Sequence, residues 1–280
     1  MKWPVLKVLK LVKNQMIKQE IRIFLTAVMF YTRIPCPSNV DHSEEYLNKA
    51  TRYFPLVGII VGTASFIVFW VFNQFLNIQI SIIFSIITGI LITGGFHEDG
   101  LADTFDGFGG GWTKQKILEI MKDSTLGSYG VISLILCILI KIFALSELFS
   151  ILILEANSYF LILFVFIIYH SIARFTAINL VFTSKYSRED LTSKSKPIAQ
   201  KFTIIEILGS YIFGLAPLVG IIYFKTEFVF ILLPLAILFL LSLRYFNKHL
   251  GGYTGDCLGA LEQLSECVCI LSFLVISDFI

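Results

Sequence analysis

Three aspartates carry the clearest chemical signal in this chain. They lie in the run Thr93-Gly94-Gly95-Phe96-His97-Glu98-Asp99-Gly100-Leu101-Ala102-Asp103-Thr104-Phe105-Asp106-Gly107. On a helix, Asp99, Asp103 and Asp106 stand at offsets 0, 4 and 7, inside an arc of roughly 60° at helical periodicity. Bare carboxylates on one stripe repel, and a cation among them turns that repulsion into a binding site. All-oxygen donors select hard ions, Mg²⁺, Mn²⁺ or Ca²⁺, over zinc. Mg²⁺ takes one or two carboxylates and fills its shell with water and substrate phosphates. Glu98 precedes the stripe as a further oxygen donor. His97 points away from the stripe on this helix, so a general-base role for it requires a later helix start. Gly107, Gly109, Gly110 and Gly111 then end the helix and leave backbone open to close approach. A solvated cap on the membrane surface, or an ion-transport site, would use the same residue types.

A second constellation comes late, at Leu250-Gly251-Gly252-Tyr253-Thr254-Gly255-Asp256-Cys257-Leu258-Gly259-Ala260. Its glycines make a tight turn into an apolar segment. Asp256, Ala260 and Gln263 share one helical face, with Gly259 and Glu266 at its edges, and small residues there admit a neighbour closely. Glu266 falls about 15 Å along the helix from Asp256. An ionisable group at that depth in a membrane helix is expected to have a function or a buried partner. Arg174, also inside an apolar segment, needs an anion: a phosphate, or Glu262 or Glu266. Lys122 and Asp123, ahead of Gly127-Ser128-Tyr129-Gly130, offer a phosphate contact and another carboxylate, or a plain exposed ion pair. Lys141 is placed near the external end of its segment, where it snorkels and carries no chemistry.

The elements that must position these groups are membrane helices. The chain has 280 residues, of which 56% are hydrophobic and only 15% charged, with mean hydropathy +0.81. Soluble domains carry about 25% charged residues, so lipid must solvate much of this surface. Segments at about 54–76, 78–96, 128–147, 157–181, 203–224, 227–246 and 257–277 approach the ~20 apolar residues a span needs. The expected fold is therefore all-α, a polytopic transmembrane bundle of about seven spans in one domain over 1–280. Lys2, Lys7, Lys10, Lys13 and Lys18 interleave with apolar residues before Arg22, as in an amphipathic helix lying on anionic lipid. Segment 23–31 is too short to span unaided and is placed at the interface or as a re-entrant piece. Lys and Arg gather in the tail and in loops 32–53, 97–127, 182–202 and 244–256, whereas the alternate connections hold Lys225 alone. By the positive-inside rule the long, motif-bearing loops face the cytoplasm. A net charge of +2 gives no reason to expect a nucleic-acid partner. Five cysteines without a CxxC pair argue against a zinc site or disulfide framework.

At these residues the chain resembles the cobalamin synthase family, adenosylcobinamide-GDP ribazoletransferase. The resemblance runs through Thr32-Arg33-Ile34-Pro35, Tyr53-Phe54-Pro55-Leu56-Val57-Gly58, the long Gly94–Asp103 motif, Asp106-Gly107, Lys122-Asp123 with Gly127–Gly130, and Gly252–Ala260. Arg188 is similar to the family's arginine in the loop after the fourth span, although the glycine expected soon after it is absent. The resemblance implies a Mg²⁺-dependent transferase (Mn²⁺ being an alternative ion) in the cytoplasmic, inner membrane of a prokaryote. Its substrates would be adenosylcobinamide-GDP and α-ribazole or its 5′-phosphate, with membrane lipid as its surroundings and room left for a homo-oligomer. Carried over position by position, Asp99, Asp103, Asp106 and Asp256 would act in catalysis, with His97 as a further candidate. Glu98, Asp99, Asp103, Asp106 and Asp256 would hold metal. Arg33, Lys122, Asp123 and Arg188 would contact substrate, and Arg174, Gln263 and Glu266, which lie outside those motifs, join them as expected substrate contacts from their place in the apolar segments. Two rivals are a phosphotransferase using CDP-activated donors, whose DGxxAR signature the run Asp99-Gly100-Leu101-Ala102-Asp103-Thr104 does not complete, and an ion-coupled transporter using Glu262, Glu266 and Arg174.

Overall fold

The computed structural model of the chain describes residues 3–156, 159–187, 202–223 and 225–277. The described residues are helical throughout, apart from turns and one isolated bridge. In order they form α1 (Trp3–Tyr31), α2 (Glu44–Ala50), α3 (Phe54–Phe72), α4 (Ile78–Thr93), α5 (Phe96–Gly110), α6 (Lys114–Ile120), α7 (Ser128–Ala156), α8 (Tyr159–Thr183), α9 (Ile204–Ile222), α10 (Leu232–Leu250) and α11 (Gly255–Ser277). Six helices are long and apolar enough to cross a membrane, and a bent pair, α4 with α5, makes up to seven. The protein is thus a multi-pass all-α bundle, and each expected span has a helix.

Local chemistry sets the ends. Asn77 caps α4 by accepting from the Ile80 amide at 2.9 Å. Thr203 and Glu206 form a capping box at the start of α9. Pro55 occupies the first turn of α3, where its missing N–H costs nothing. α4 stops at Gly94 and Gly95, both left-handed with φ of 73° and 71°, a conformation that suits glycine. With 16 residues, α4 is only about 24 Å long, short of the ~30 Å hydrocarbon thickness. Across the two glycines the chain turns by 89° into α5.

One expectation is corrected at the N-terminus. The basic stretch and segment 23–31 are not separate pieces but one 29-residue helix. Ile23, Ala27, Val28 and Tyr31 are buried and share its inner face, so the helix carries straight through into the bundle.

The centre of the bundle is α8, 78% of whose span is buried, against 17% for the peripheral α10. Hydrophobicity cannot drive helices together in lipid, because acyl chains are as apolar as leucine; close van der Waals packing must do it. Gly58 and Gly62 of α3 accordingly sit directly on the α8 backbone at His170–Ser171 and Phe166–Ile167, where a Cβ would collide with it. Gly100 of α5 and Gly259 of α11 meet the same way. The chain leaving α8 is stitched to the turn before α11: Tyr253 N–H donates to the Lys185 carbonyl at 2.9 Å and Ser187 N–H to the Tyr253 carbonyl at 2.8 Å. Burial in this joint, with Tyr186 beside it, pushes the Tyr253 hydroxyl well above its ordinary pKa.

Candidate active site

The right-angle turn after α4 gives α5 two faces with different surroundings. On the outer face Asp99 is exposed, Asp103 half-buried and Asp106 buried. Asp99 lines a cleft of about 450 Å³ shared with Thr32, Arg33, Thr93 and the backbone of Gly94–Phe96. The Arg33 amide donates to the Ile92 carbonyl at 2.6 Å, and its side-chain stem lies across Gly94, where a Cβ would strike it. Arg33 and Asp99 therefore flank one cavity, a cation and an anion beside it.

Asp106 has a second use that the spacing did not reveal. Its carboxylate accepts from the amides of Gly127 (2.7 Å) and Gly130 (2.8 Å). It thereby caps the N-terminus of α7 with a full negative charge. A Cβ at Gly127 or Gly130 would run into that carboxylate. Each carboxylate oxygen keeps a further lone pair.

Asp256 reaches the site through the small-residue contact of α11 with α5. Gly100 rests on the Asp256 and Gly259 backbone. Thr254 caps α11 by accepting from the Cys257 amide at 3.2 Å, and its hydroxyl stands 3.4 Å from Asp256 Oδ2. Lys122 and Asp123 are exposed on the loop between α6 and α7. Asp123 is held below the usual aspartate range by the Thr125 hydroxyl and by the Thr125 amide, which donates to it at 2.9 Å. None of Asp103, Lys122 and Asp256 is without a partner.

The inner face of α5 meets a buried set of charges. His97 is buried, with Nδ1 3.8 Å from Glu262 Oε1. Glu98 turns away from the aspartates and accepts from Gln263 Nε2 at 3.3 Å. Gln263 Nε2 also donates to Glu262 Oε2 at 2.9 Å. Arg174 approaches Glu262 Oε1 to 2.8 Å without hydrogen-bond alignment and donates to the His170 carbonyl at 2.8 Å. Glu266 is held from two sides, by Lys141 at 2.6 Å and His170 Nδ1 at 2.6 Å. Lys141 also donates to Gln263 Oε1 at 2.7 Å. Arg174, Gln263 and Glu266, expected at substrate, are thus buried beneath α5 with partners inside this set of charged and polar side chains.

Lys141 is a correction. It does not snorkel at an external end but lies buried midway along α7, inside the ion network. The expected span stopped at 147, whereas α7 runs to Ala156, so depth was counted from the wrong end. His170 was missed. Its signal was present: an imidazole one turn before Arg174 in an otherwise apolar helix shares that arginine's face. Arg188 lies outside the described residues. All five cysteines are free, and Cys137 and Cys267 approach to 3.4 Å between sulfurs.

Among the described residues no three His, Cys, Asp or Glu side chains are gathered into a metal-chelating set. Asp99 and Asp103, one turn apart on the outer face, nevertheless present the hard oxygen donors Mg²⁺ prefers, and one or two such carboxylates suffice when phosphates complete the shell. The donor chemistry fits.

Sequence comparison decides the family. The family model described as Cobalamin-5-phosphate synthase matches residues 23–274. The chain belongs to that family. Similar members include the adenosylcobinamide-GDP ribazoletransferase of Shewanella sp. (strain ANA-3), 45% identical over 265 residues, covering 94% of this chain and 97% of the relative. Those of Shewanella sp. (strain W3-18-1) and Shewanella oneidensis are each 44% identical with the same coverage. No solved structure matches the chain. As a cobalamin-5-phosphate synthase family member, it places the family-like motifs Gly94–Asp103 and Gly252–Ala260 against each other through Gly100 and Gly259.

Proposed function

We propose that this protein is an adenosylcobinamide-GDP ribazoletransferase. It joins adenosylcobinamide-GDP to α-ribazole, or to its 5′-phosphate, and releases GMP. The observation that carries this reading is the meeting of two separate motifs at one helix elbow, with Asp99 and Asp103 facing outward and Asp256 brought alongside. Attack of a ribose hydroxyl on a diphosphate needs positioning and charge neutralisation more than covalent chemistry from the protein. Asp99 and Asp103 would hold Mg²⁺, with Asp256, whose backbone packs on Gly100, as a further candidate ligand; when bound, the ion would supply charge neutralisation for the phosphates. Arg33 flanks the same cleft and suits the donor's diphosphate. Lys122, on the exposed loop, supplies a second cation for it. The hydroxyl proton goes to an outer-face carboxylate, because His97 is enclosed under α5. Asp106 fixes the start of α7, and with it the glycine-rich turn beside the stripe.

We read this face as cytoplasmic from the positive-inside pattern, and the surroundings as the lipids of a prokaryotic inner membrane from the family resemblance. The transporter reading draws on the buried charges. Those groups pair with one another around a cavity of only about 20 Å³, which leaves no room for passage.

The test is direct. Membranes bearing the protein are incubated with adenosylcobinamide-GDP, α-ribazole and Mg²⁺, and GMP release is followed together with a corrinoid product. Folded protein that yields neither would remove the reading. Asp103→Asn keeps shape and deletes charge, and it should raise the Mg²⁺ requirement; unchanged activity at limiting Mg²⁺ would contradict a ligand role.

A further inference from the structure

Glu98 stands beside the carboxylate stripe in sequence but not in space. Its carboxylate faces the bundle, where Oε1 takes the Gln263 amide at 3.3 Å and Oε2 is buried without a partner. It borders the cavity of about 20 Å³ that His97, Lys141, His170, Arg174 and Glu266 also line, a volume suited to one water. His97 Nε2 is a second unpartnered buried atom at this place. Below, Gln263 is itself fixed by Glu262 at 2.9 Å and Lys141 at 2.7 Å. Above, Asp99 follows Glu98 directly and Asp103 lies one turn further on. A rotation of α5 about its axis, or a slide along α11, would break the Glu98–Gln263 contact and move both aspartates at once. The Gly100–Gly259 contact alone does not prevent this, because two glycines offer a smooth surface without directional bonds. The bonds of Asp106 to Gly127 and Gly130 hold the far end of α5, and Glu98–Gln263 is the directional contact at the end that carries Asp99.

From this geometry we propose that Glu98 is a positioning residue, not a metal ligand. Glu98 and Gln263 form a clamp that locks the rotation of α5 on α11 and so sets the spacing of Asp99 and Asp103 against Asp256. The buried ion network is the fixed base of that clamp. The proposal rests on the reading of the outer face as a divalent-cation site.

The full chain in lipid nanodiscs is titrated with Mn²⁺, with bound ion read at equilibrium by EPR and no substrate present. Amide hydrogen exchange over 96–110 is measured in parallel. Glu98→Ala should weaken Mn²⁺ binding about tenfold, the lower range for partners that orient metal ligands, and speed exchange in α5. It strands no buried ion, because Gln263 keeps Glu262. Gln263→Ala breaks the clamp from the other side and should weaken binding at least as much, because it also takes a bond from Glu262 and Lys141, and the double variant should be no worse than Gln263→Ala alone. Glu98→Gln still accepts from Gln263 and should match the wild type. A Glu98→Gln protein as weak as Glu98→Ala would make Glu98 a ligand and overturn the clamp. Wild-type affinity and exchange in Glu98→Ala would overturn it too. Wild-type protein that takes up no Mn²⁺ would instead sink the cation-site reading, while the exchange arm would still judge the clamp.

Discussion

Replacing Asp106 by Asn separates a ligand from a helix cap. In the wild type both carboxylate oxygens accept from backbone amides, Gly127 at 2.7 Å and Gly130 at 2.8 Å, in a buried setting. An asparagine can accept from only one of them; its NH₂ group would face the other N–H, donor to donor. Losing one charge-assisted hydrogen bond costs about 1.5–3 kcal/mol. Removing a negative charge from the N-terminus of a long helix costs about a further 0.3–1 kcal/mol. The sum is about 2–4 kcal/mol. At roughly 2–4 °C per kcal/mol for a chain of this size, Tm should fall by about 4–16 °C. The assay is a thermal melt of both proteins in the same detergent, with Asp99→Asn as the control. Asp99 is exposed on the same stripe and bears no such bonds, so its variant should melt like the wild type. An Asp106→Asn protein melting within about 2 °C of the wild type, less than 1 kcal/mol on that scale, would refute the cap. It would return Asp106 to the cation site alone.

Four further outcomes follow from named contacts. Lys141→Met leaves Glu266 buried without its closest cation and should destabilise by about 3–5 kcal/mol, read as a large fall in Tm, with Glu266→Gln recovering part of it in the double variant. Gly58→Val drives a side chain into the α8 backbone at His170 and should cost about 1–3 kcal/mol or prevent assembly; a normal melt would mean that α3 and α8 do not pack as described. Asp41 and Asp123, outside the membrane, are both held below the usual aspartate range by turn hydrogen bonds from Ser43 and Thr125. A depressed carboxyl stabilises above the ordinary aspartate range and loses that contribution as pH falls through its lowered value. The protection factors of the amides in these two turns, which correct for the intrinsic pH dependence of exchange, should therefore stay flat through neutral and mildly acidic pH and fall only in stronger acid. Trp112, 95% exposed in the loop after α5, reports sidedness: Trp112→Cys should react with an impermeant maleimide only when the cytoplasmic face is open, and labelling of intact cells would invert the topology.

How much could be read from the sequence differs by residue, for physical reasons. Span positions were legible because apolar length is a one-dimensional property. The outward stripe of Asp99 and Asp103 was legible because helical periodicity assigns faces without a partner in view. Glu98 shows where that logic ends. Periodicity places it off the stripe, but only the approach of α11 reveals that the opposite face holds an amide from Gln263. Asp106 shows the converse: it belongs to the stripe by angle, yet the 21-residue separation from Gly127 hides the cap it forms. Lys141 was misplaced because depth was inferred from one expected helix end, and in α7 that end lies nine residues further on.

These placements bear on why a membrane enzyme would keep so many charges out of water. Ionised side chains at mid-bundle are costly, and their mutual pairing returns only part of that cost. Packing alone gives lipid-embedded helices little directional specificity, whereas an ion network with fixed hydrogen-bond directions selects one rotation and one register. Here Lys141 comes from α7, His170 and Arg174 from α8, and Glu262, Gln263 and Glu266 from α11. Three helices thus meet in one polar knot directly under α5. The helix above it carries the aspartates and is joined to α4 only through two left-handed glycines. Asp106 ties the far end of α5 to α7, but next to the elbow the helix must be held from beneath. The depth of the charges and the looseness of the elbow are therefore two sides of one design: the carboxylates can face water at a set spacing because their helix is anchored by charges that do not.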